Sequence, residues 1–131
     1  MFRFGPPWPA LLALLFLACG GGEVSRHPAH GVVEKLLPEE WSAAIALNLT
    51  SVFLCSVAAG KVMMANDGGR IINIASILGL SGQPDHPVAY HASKAAVINM
   101  TRVLACSWSN RGVRVNAIAP GYFPSEMTAP L

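Results

Sequence analysis

The sequence contains little charge, and that shortage narrows the classes of protein it can belong to. Charged residues make up 12% of its 131 positions, hydrophobic residues 53%, and the formal net charge is only +2. A chain this apolar is not typical of disordered proteins. The basic residues form no run, so nothing indicates a nucleic-acid partner. The composition predicts a globular domain rich in interior residues.

Cysteine is also scarce, which excludes two common ways of stabilising a small domain. Cys19, Cys55 and Cys106 are odd in number, lie far apart and include no Cys-x-x-Cys pair. This pattern fits neither a disulfide framework nor a zinc site, and predicts reduced, mostly buried thiols. His27 and His30 have no carboxylate or cysteine at ligand spacing, so we predict no metal site.

Residues 1–26 allow three interpretations, which the residues alone leave open. An apolar run at 10–18 is followed by Cys19 and by three glycines at 20–22. The run resembles a short secretory signal with a lipoprotein-type cleavage box. Residues 11–18 are also typical of a buried parallel strand that opens into a glycine turn. The third interpretation is sequence foreign to the domain. A genuine signal predicts an exported or lipid-anchored protein; otherwise we expect a cytoplasmic one.

Helix and strand patterns alternate along the rest of the chain. Pro38, followed by two acidic residues, predicts a helix start, and apolar residues at helical intervals continue the helix to about Asn66. Residues 70–75 and 113–118 are rich in β-branched side chains and predict strands, with a second long helix over 88–110 between them. This order predicts right-handed crossovers and a parallel α/β sheet.

Tyr90 and Lys94 form the pair most suggestive of chemistry. Their spacing places them on one face of the second helix, one turn apart. An unperturbed tyrosine has a pKa near 10, and an ammonium about 4 Å away contributes roughly 4 kcal/mol at an effective dielectric of about 20. The pair could therefore make Tyr90 a usable proton donor and acceptor. The same spacing is common in exposed helical pairs. Ser76, at the carboxyl end of a predicted strand where parallel sheets bind ligands, favours the chemical interpretation.

Four segments identify a family resemblance by their order and spacing: residues 46–53 (ALNLTSVF), 69–76 (GRIINIAS), Tyr90-x-x-x-Lys94 and 114–121 (RVNAIAPG). They resemble the short-chain dehydrogenase/reductase family from about Pro28 to Leu131. Within it the sequence is most similar to bacterial 3-oxoacyl carrier-protein reductases and to gluconate or sugar dehydrogenases. The resemblance implies a Rossmann-like, three-layer parallel sheet. This chain would supply its central strands and two long helices, with residues 27–131 as a partial catalytic domain.

The resemblance assigns a role to each of four residues. Tyr90 matches the catalytic acid/base that exchanges a proton with the substrate oxygen while a hydride moves to or from the nicotinamide of NAD or NADP. Lys94 matches the lysine that lowers the tyrosine pKa and binds the nicotinamide ribose. Ser76 matches the hydroxyl that holds the substrate oxygen, and Asn48 matches the asparagine whose backbone carbonyl holds a water linking the lysine to solvent. The implied reaction interconverts a carbonyl and a secondary alcohol.

Further residues are implied to contact the cofactor or another subunit. Pro120 and Gly121 match the turn that covers the nicotinamide, and Ser125 falls where the family often has a cofactor-contacting threonine. Family members commonly form dimers or tetramers through their long helices. Four apolar residues are candidates for such contacts, or else cover the sheet of their own chain: Met63, Met64, Ile98 and Met100.

The sequence departs from the family in ways that affect cofactor binding. It contains no Thr-Gly-x-x-x-Gly-x-Gly segment, the turn whose amides bind the cofactor pyrophosphate, and the family's C-terminal strand and helices are also missing. We therefore expect exposed apolar strand faces and weak or no activity of this chain alone. The alternative function is a non-catalytic interaction or membrane-tethered fragment. Neither the substrate nor a preference for NAD or NADP is predicted.

Overall fold

A computed structural model describes residues 33–84 and 86–123 of the protein. Within these residues the chain forms three α-helices and two β-strands: α1 (Pro38–Ile45), α2 (Ser51–Ala65), β1 (Gly69–Ile74), α3 (Val88–Trp108) and β2 (Val113–Ile118). Short 3-10 turns occupy Val33–Lys35, Ile77–Gly79 and Ser109–Arg111. The two strands and the second long helix lie within two residues of their predicted bounds. The sequence of elements is that of a parallel α/β fold.

A π-helical turn at Ala46–Thr50 joins α1 to α2, so that one helical rod runs from Pro38 to Ala65. The predicted long helix is present, and the sequence pattern did not predict that this turn is π-helical. The hydroxyl of Ser51 donates to the carbonyl oxygen of Leu47, which draws that carbonyl away from the regular helical ladder and accompanies the local widening. The interruption lies at the level of Asn48.

The two strands are parallel, in register from Gly69 opposite Val113 to Ile74 opposite Ile118. Glycine is required where the chain enters β1. Gly68 has φ +88, and a Cβ on it would lie 2.3 Å from the carbonyl oxygen of Gly112. That carbonyl accepts a hydrogen bond from the Gly69 amide at 3.0 Å. The turns that precede the two strands therefore touch through their backbones.

Helices α2 and α3 cover the same face of the sheet. The core between them consists of Ala59, Met63, Ile71, Leu104, Val113 and Val115. Burial of each large side chain there contributes about 1.5–3 kcal/mol. Met64 and Met100 are partly buried against this core. Three of the four apolar residues that were candidates for subunit contacts, Met63, Met64 and Met100, thus cover the sheet of their own chain.

A chain of buried polar side chains crosses this core and connects three elements. Ser56 of α2 donates to Asn73 Oδ1 of β1 at 3.2 Å, and Asn73 Nδ2 donates to Thr101 Oγ1 of α3 at 3.0 Å. Thr101 in turn donates to the Val97 carbonyl at 2.8 Å. Because every member has a partner, the network fixes how the helices sit on the strand without leaving a desolvated donor.

The opposite face of the sheet presents apolar side chains to solvent. Ile72, Ile74 and Ile118 are 55%, 40% and 51% exposed. This agrees with the expectation that apolar strand faces are open in this chain. The two cysteines among the described residues were predicted to be mostly buried, but Cys106 is exposed and Cys55 is half-buried; Cys19 lies outside the described residues.

The rod from Pro38 to Ala65 is long and apolar enough to cross a membrane by length and composition, with a mean hydropathy of 1.8 in its 18-residue window. Core helices of water-soluble domains meet the same criterion. Here Ala59 and Met63 of the rod lie in the core against the sheet. Only 17% of that window is buried, so packing against the sheet covers a small part of the rod, and Phe53, Leu54 and Val62 remain exposed.

Candidate active site

Backbone hydrogen bonds place Ser76 at the carboxyl edge of the sheet. The Ala75 amide donates to the carbonyl of Ile118 at 2.7 Å, and the Ile77 amide donates to that of Pro120 at 3.0 Å. These bonds continue the parallel pairing beyond both strands, on either side of Ser76. The serine is thus held between two fixed residues at the edge where ligands bind in parallel sheets.

The Ser76 side chain is 8% exposed and has a local structural role. Its Oγ accepts a hydrogen bond from the Leu78 amide at 3.2 Å and so caps the Ile77–Gly79 turn. A hydroxyl group has one hydrogen and two lone pairs. Accepting this bond orients the oxygen while its hydrogen can still be donated to a substrate oxygen. Capping and substrate binding are therefore compatible.

Tyr90 and Lys94 lie on one face of α3, as their spacing predicts. The helix begins at Val88 after Pro87, so Tyr90 lies in its first turn and Lys94 one turn later. Lys94 Nζ lies 5.5 Å from the centroid of the Tyr90 ring, within the range of a cation–π contact. Both side chains are half-buried.

Lys94 also connects this pair to the strand that leads to Ser76. Its Nζ donates to the carbonyl oxygen of Ile74, the last residue of β1, at 3.1 Å. The ammonium group therefore lies between the Tyr90 ring and the strand end, two residues before Ser76. The Lys94 ammonium thus connects α3, which carries Tyr90, to β1, which leads to Ser76.

Gly79 permits the close approach that this arrangement needs. A Cβ at this position would lie 2.7 Å from the carbonyl carbon of Lys94 and 2.8 Å from the nitrogen of Ala95. The Ile77–Gly79 turn therefore rests directly on the backbone of α3 beside Lys94. Sequence reasoning identified Gly79 only as a loop residue. The feature of the sequence that could have indicated its role is its position three residues after Ser76, just beyond the end of a strand.

Asn48 lies in the π-helical turn, where it is half-buried. This turn packs against α3, the helix that carries Tyr90 and Lys94. Single π-helical turns inside α-helices frequently occur at functional sites, because the extra residue moves backbone carbonyls out of the regular ladder. The placement suits the predicted role of Asn48 in holding a water through its backbone.

The turn after β2 supplies the remaining predicted residues. Pro120 is held by the bond from Ile77, whereas Gly121 is exposed. A Cβ on Gly121 would have Ile77 Cδ1, 3.8 Å away, as its neighbour within 4 Å, so a flat ring could approach the backbone on its open side. With the Lys94 ammonium at the same edge, these residues fit the nicotinamide end of a cofactor. Ser125 lies outside the described residues.

A contact between Tyr122 and the loop preceding α3 has no counterpart in the sequence reasoning. The phenol oxygen lies 3.0 Å from Gln83 Oε1 and 3.0 Å from His86 Nε2. The partners are 39 and 36 residues apart in the chain. Since no short-range spacing reports such a contact, only the folded chain reveals it.

The fold and the site together define a parallel α/β protein with a tyrosine, a lysine and a serine gathered at the carboxyl edge of its sheet. The family model described as short chain dehydrogenase matches residues 14–131. The chain belongs to the short-chain dehydrogenase family. The match begins inside the stretch 1–26 that allowed three interpretations.

Two characterised relatives show how closely the sequence resembles named enzymes. The chain is 49% identical over 90 residues to a 3-oxoacyl-[acyl-carrier-protein] reductase of Synechocystis sp., covering 69% of this chain and 36% of that protein. It is 44% identical over 115 residues to the 2-dehydro-3-deoxy-D-gluconate 5-dehydrogenase of Bacillus subtilis, covering 88% and 43%. The chain thus spans about two fifths of the length of these relatives.

Solved structures give the same fold. A gluconate 5-dehydrogenase from Burkholderia cenocepacia, in complex with NADP and tartrate, superposes with a TM-score of 0.70 at 34% identity, covering 75% of this chain and 38% of that one. A short-chain dehydrogenase/reductase from Burkholderia xenovorans superposes with a TM-score of 0.73 at 36% identity, covering 79% and 39%. The Rossmann-like α/β fold predicted from the sequence is confirmed.

Proposed function

We propose that the protein belongs by lineage to the NAD(P)-dependent oxidoreductases that interconvert a carbonyl and a secondary alcohol by hydride transfer. The position of the Lys94 ammonium carries the proposal. It lies 5.5 Å from the centre of the Tyr90 ring and donates at 3.1 Å to the strand end that leads to Ser76. The names of the relatives, which include both reductases and dehydrogenases, support the same reaction class.

The chemistry follows from the groups at the sheet edge. The Ser76 hydroxyl, oriented by its bond from Leu78, donates to the substrate oxygen and fixes its place. The Tyr90 hydroxyl gives its proton to that oxygen in reduction and takes it back in oxidation. The positive charge of Lys94 stabilises the negative charge that forms on the phenol oxygen. A bound nicotinamide cofactor would supply or accept the hydride.

The chain's own residues would hold only the reactive end of NAD or NADP. Tyr90, Lys94, Pro120 and Gly121 are at the edge where the nicotinamide would lie, and Ser125 joins them through the family resemblance. The 131 residues contain no glycine-rich Thr-Gly-x-x-x-Gly-x-Gly turn for the pyrophosphate. Because binding energy remote from the reacting atoms positions the hydride donor, we propose that this chain alone turns over weakly or not at all.

The proposed substrates are small molecules with an oxygen on a secondary carbon. One relative is named for a 3-oxoacyl group and another for a sugar acid. In both compound classes the reacting carbon is either a ketone carbon or a carbon that carries a hydroxyl group. Ser76 and Tyr90 would bind the oxygen on that carbon. We therefore propose 3-oxoacyl thioesters and sugar acids as the first substrates to assay.

Two preparations test the proposal. The first is the 131-residue chain, titrated with NADH and NADPH, for which we expect weak binding. The second is a hybrid enzyme, in which the matching 115-residue segment of the Bacillus subtilis dehydrogenase is replaced by that of this chain. The hybrid enzyme should catalyse nicotinamide-dependent reduction. A folded hybrid that binds cofactor but reduces no ketone would contradict the proposal, and tight binding by the chain alone would contradict the expected weak activity.

We also propose self-association through the outer surfaces of the long helices. Four apolar side chains there are 44–59% exposed: Phe53, Leu54 and Val62 of α2 and Val103 of α3. Contiguous exposed apolar surface marks interaction sites. Sedimentation of the hybrid enzyme should show a dimer or tetramer that Leu54→Glu weakens. The matched control is Lys61→Glu, which changes an already charged, exposed position on α2. An oligomer unaffected by Leu54→Glu would place the interface elsewhere.

A further inference from the structure

Tyr122 joins two segments that border the proposed site. One is the loop over residues 76–87, which connects Ser76 to the helix of Tyr90. The other is the turn after β2. The Tyr122 phenol oxygen is 3.0 Å from Gln83 Oε1 and 3.0 Å from His86 Nε2. We name these three residues the loop bridge.

The protons of the loop bridge can be assigned from its acceptors. His86 Nδ1 lies 3.1 Å from the Pro84 carbonyl, which can only accept, so Nδ1 carries a proton. With a protonated imidazolium, Nε2 donates to the phenol oxygen and the phenol donates to Gln83 Oε1. With a neutral imidazole, the phenol donates to Nε2 and the Gln83 amide turns its NH₂ toward the phenol. Gln83 can serve both states, so the bridge persists in each.

The loop bridge lies against the helical turn that carries Tyr90. The His86 ring packs edge-on against His91 of α3, with centroids 6.1 Å apart, and against Tyr122 at 6.4 Å. His91 Nδ1 lies 3.1 Å from the Pro87 carbonyl. Among the described residues, buried His91 Nε2 has no hydrogen-bond partner. His91 and Tyr122 are the titratable groups whose rings contact His86 within the described part of the chain.

The turn after β2 therefore holds the loop at two points. Pro120 accepts a hydrogen bond from Ile77 at 3.0 Å, next to Ser76. Tyr122 holds Gln83 and His86 near the other end, against the first turn of α3. Ser76 and Tyr90 lie just outside these two points. The loop between Ser76 and Tyr90 is thus fixed at both ends by one short segment, in addition to the strand pairing and the Lys94 bond that hold Ser76 and α3.

We propose that Tyr122 is a positioning residue, which through Gln83 and His86 fixes the loop that sets Ser76 relative to Tyr90. The effect of Tyr122 on turnover rests on the proposed function, whereas its effect on the order of the loop can be measured independently of that function. Tyr122 is 52% exposed, so removing its hydroxyl should leave the core intact. The loop bridge can therefore be tested without unfolding the protein.

Hydrogen exchange on the 131-residue chain tests the bridge without any need for activity. Tyr122→Phe keeps the ring and removes both bonds. A hydrogen bond of about 1 kcal/mol corresponds to roughly a fivefold change in local opening, so loss of the two bonds should make the hydrogen-bonded amides of residues 77–80 exchange about five- to thirtyfold faster, with that of Ile71 unchanged. His86→Leu should act similarly, and the double variant should add little. Unchanged exchange in Tyr122→Phe, or full additivity, would overturn the bridge.

Gln83→Met tests the contact between Gln83 and Tyr122. Methionine has a side chain of similar length but lacks the amide oxygen that lies 3.0 Å from the Tyr122 phenol oxygen. Loop exchange should therefore become faster than in wild type, and the double variant with Tyr122→Phe should add little. Wild-type exchange in Gln83→Met would contradict the contact with Gln83.

The catalytic consequence is measured in the hybrid enzyme. Tyr122→Phe should lower kcat about tenfold while the KM for the nicotinamide cofactor stays within twofold, because alignment is lost and cofactor contacts are not. His86→Gln, which can still bond Tyr122, should recover more kcat than His86→Leu. Faster loop exchange with unchanged kcat would refute the positioning role alone. An inactive wild-type hybrid would count against the proposed function and leave the exchange result to decide the bridge.

Discussion

Lys94 donates a hydrogen bond to the carbonyl oxygen of Ile74 at 3.1 Å, and this contact ties α3 to the end of β1. The same ammonium lies 5.5 Å from the Tyr90 ring centroid. Lys94 therefore contacts both the Tyr90 ring and the strand end that precedes Ser76. This position supports the proposal that the four-residue spacing of Tyr90 and Lys94 serves proton transfer.

Replacing Lys94 by methionine should abolish most turnover in the hybrid enzyme. The substitution keeps an unbranched side chain of similar length but removes the charge and the bond to Ile74. General acid–base catalysis typically contributes about 10²–10⁴-fold, so we expect kcat to fall at least about 100-fold. Lys61→Met, at an exposed position on α2, is the matched control. Equal effects of the two substitutions in a steady-state reduction assay would refute the role of Lys94.

Gly79→Ala should destabilise the fold, because its Cβ would lie 2.7 Å from the Lys94 carbonyl carbon. Forcing apart two backbones in a packed structure costs about 1–3 kcal/mol. Gly82 is the matched control in the same loop, since a Cβ there would meet nothing within 4 Å. Urea unfolding should show a lower midpoint for Gly79→Ala than for Gly82→Ala. Equal midpoints would show that the turn does not rest on α3.

Thr101→Val should reduce stability more than Thr101→Ser. Valine keeps the shape but leaves Asn73 Nδ2 without its acceptor at 3.0 Å, and an unsatisfied buried donor costs about 1–3 kcal/mol. Serine keeps the hydroxyl and loses only a methyl group. Thermal or urea unfolding of both variants measures the difference. A valine variant as stable as the serine variant would indicate that the buried polar chain adds little to stability.

The regular elements were predictable because their signals are local. β-branched runs mark both strands, and the turn residues Asn66 and Gly112 mark the ends of the long helices. The family resemblance proposed the roles of Ser76, Tyr90 and Lys94, whereas their placement, at a strand end and on one helical face, follows from local patterns. These features depend on neighbours within a few residues, which a sequence reports directly.

The remaining features depend on contacts between distant segments. Apolar residues recur at helical intervals both before and after Ala46–Thr50. This pattern therefore does not reveal the extra residue that makes the turn π-helical. Gly79 is needed because the backbone of α3 lies against it, and the Tyr122 contact with His86 spans 36 residues. Such packing is set only when the helices lie on the sheet, and sequence patterns of short range do not contain it.

The rate of ketone reduction by the hybrid enzyme carrying Tyr90→Phe tests the central claim most directly. The change removes one oxygen atom and keeps the ring beneath the Lys94 ammonium. We predict a fall of at least about 100-fold in kcat, with cofactor affinity within twofold of the parent hybrid. A Tyr90→Phe variant that reduces the ketone at the parent rate would show that Tyr90 is not the acid/base.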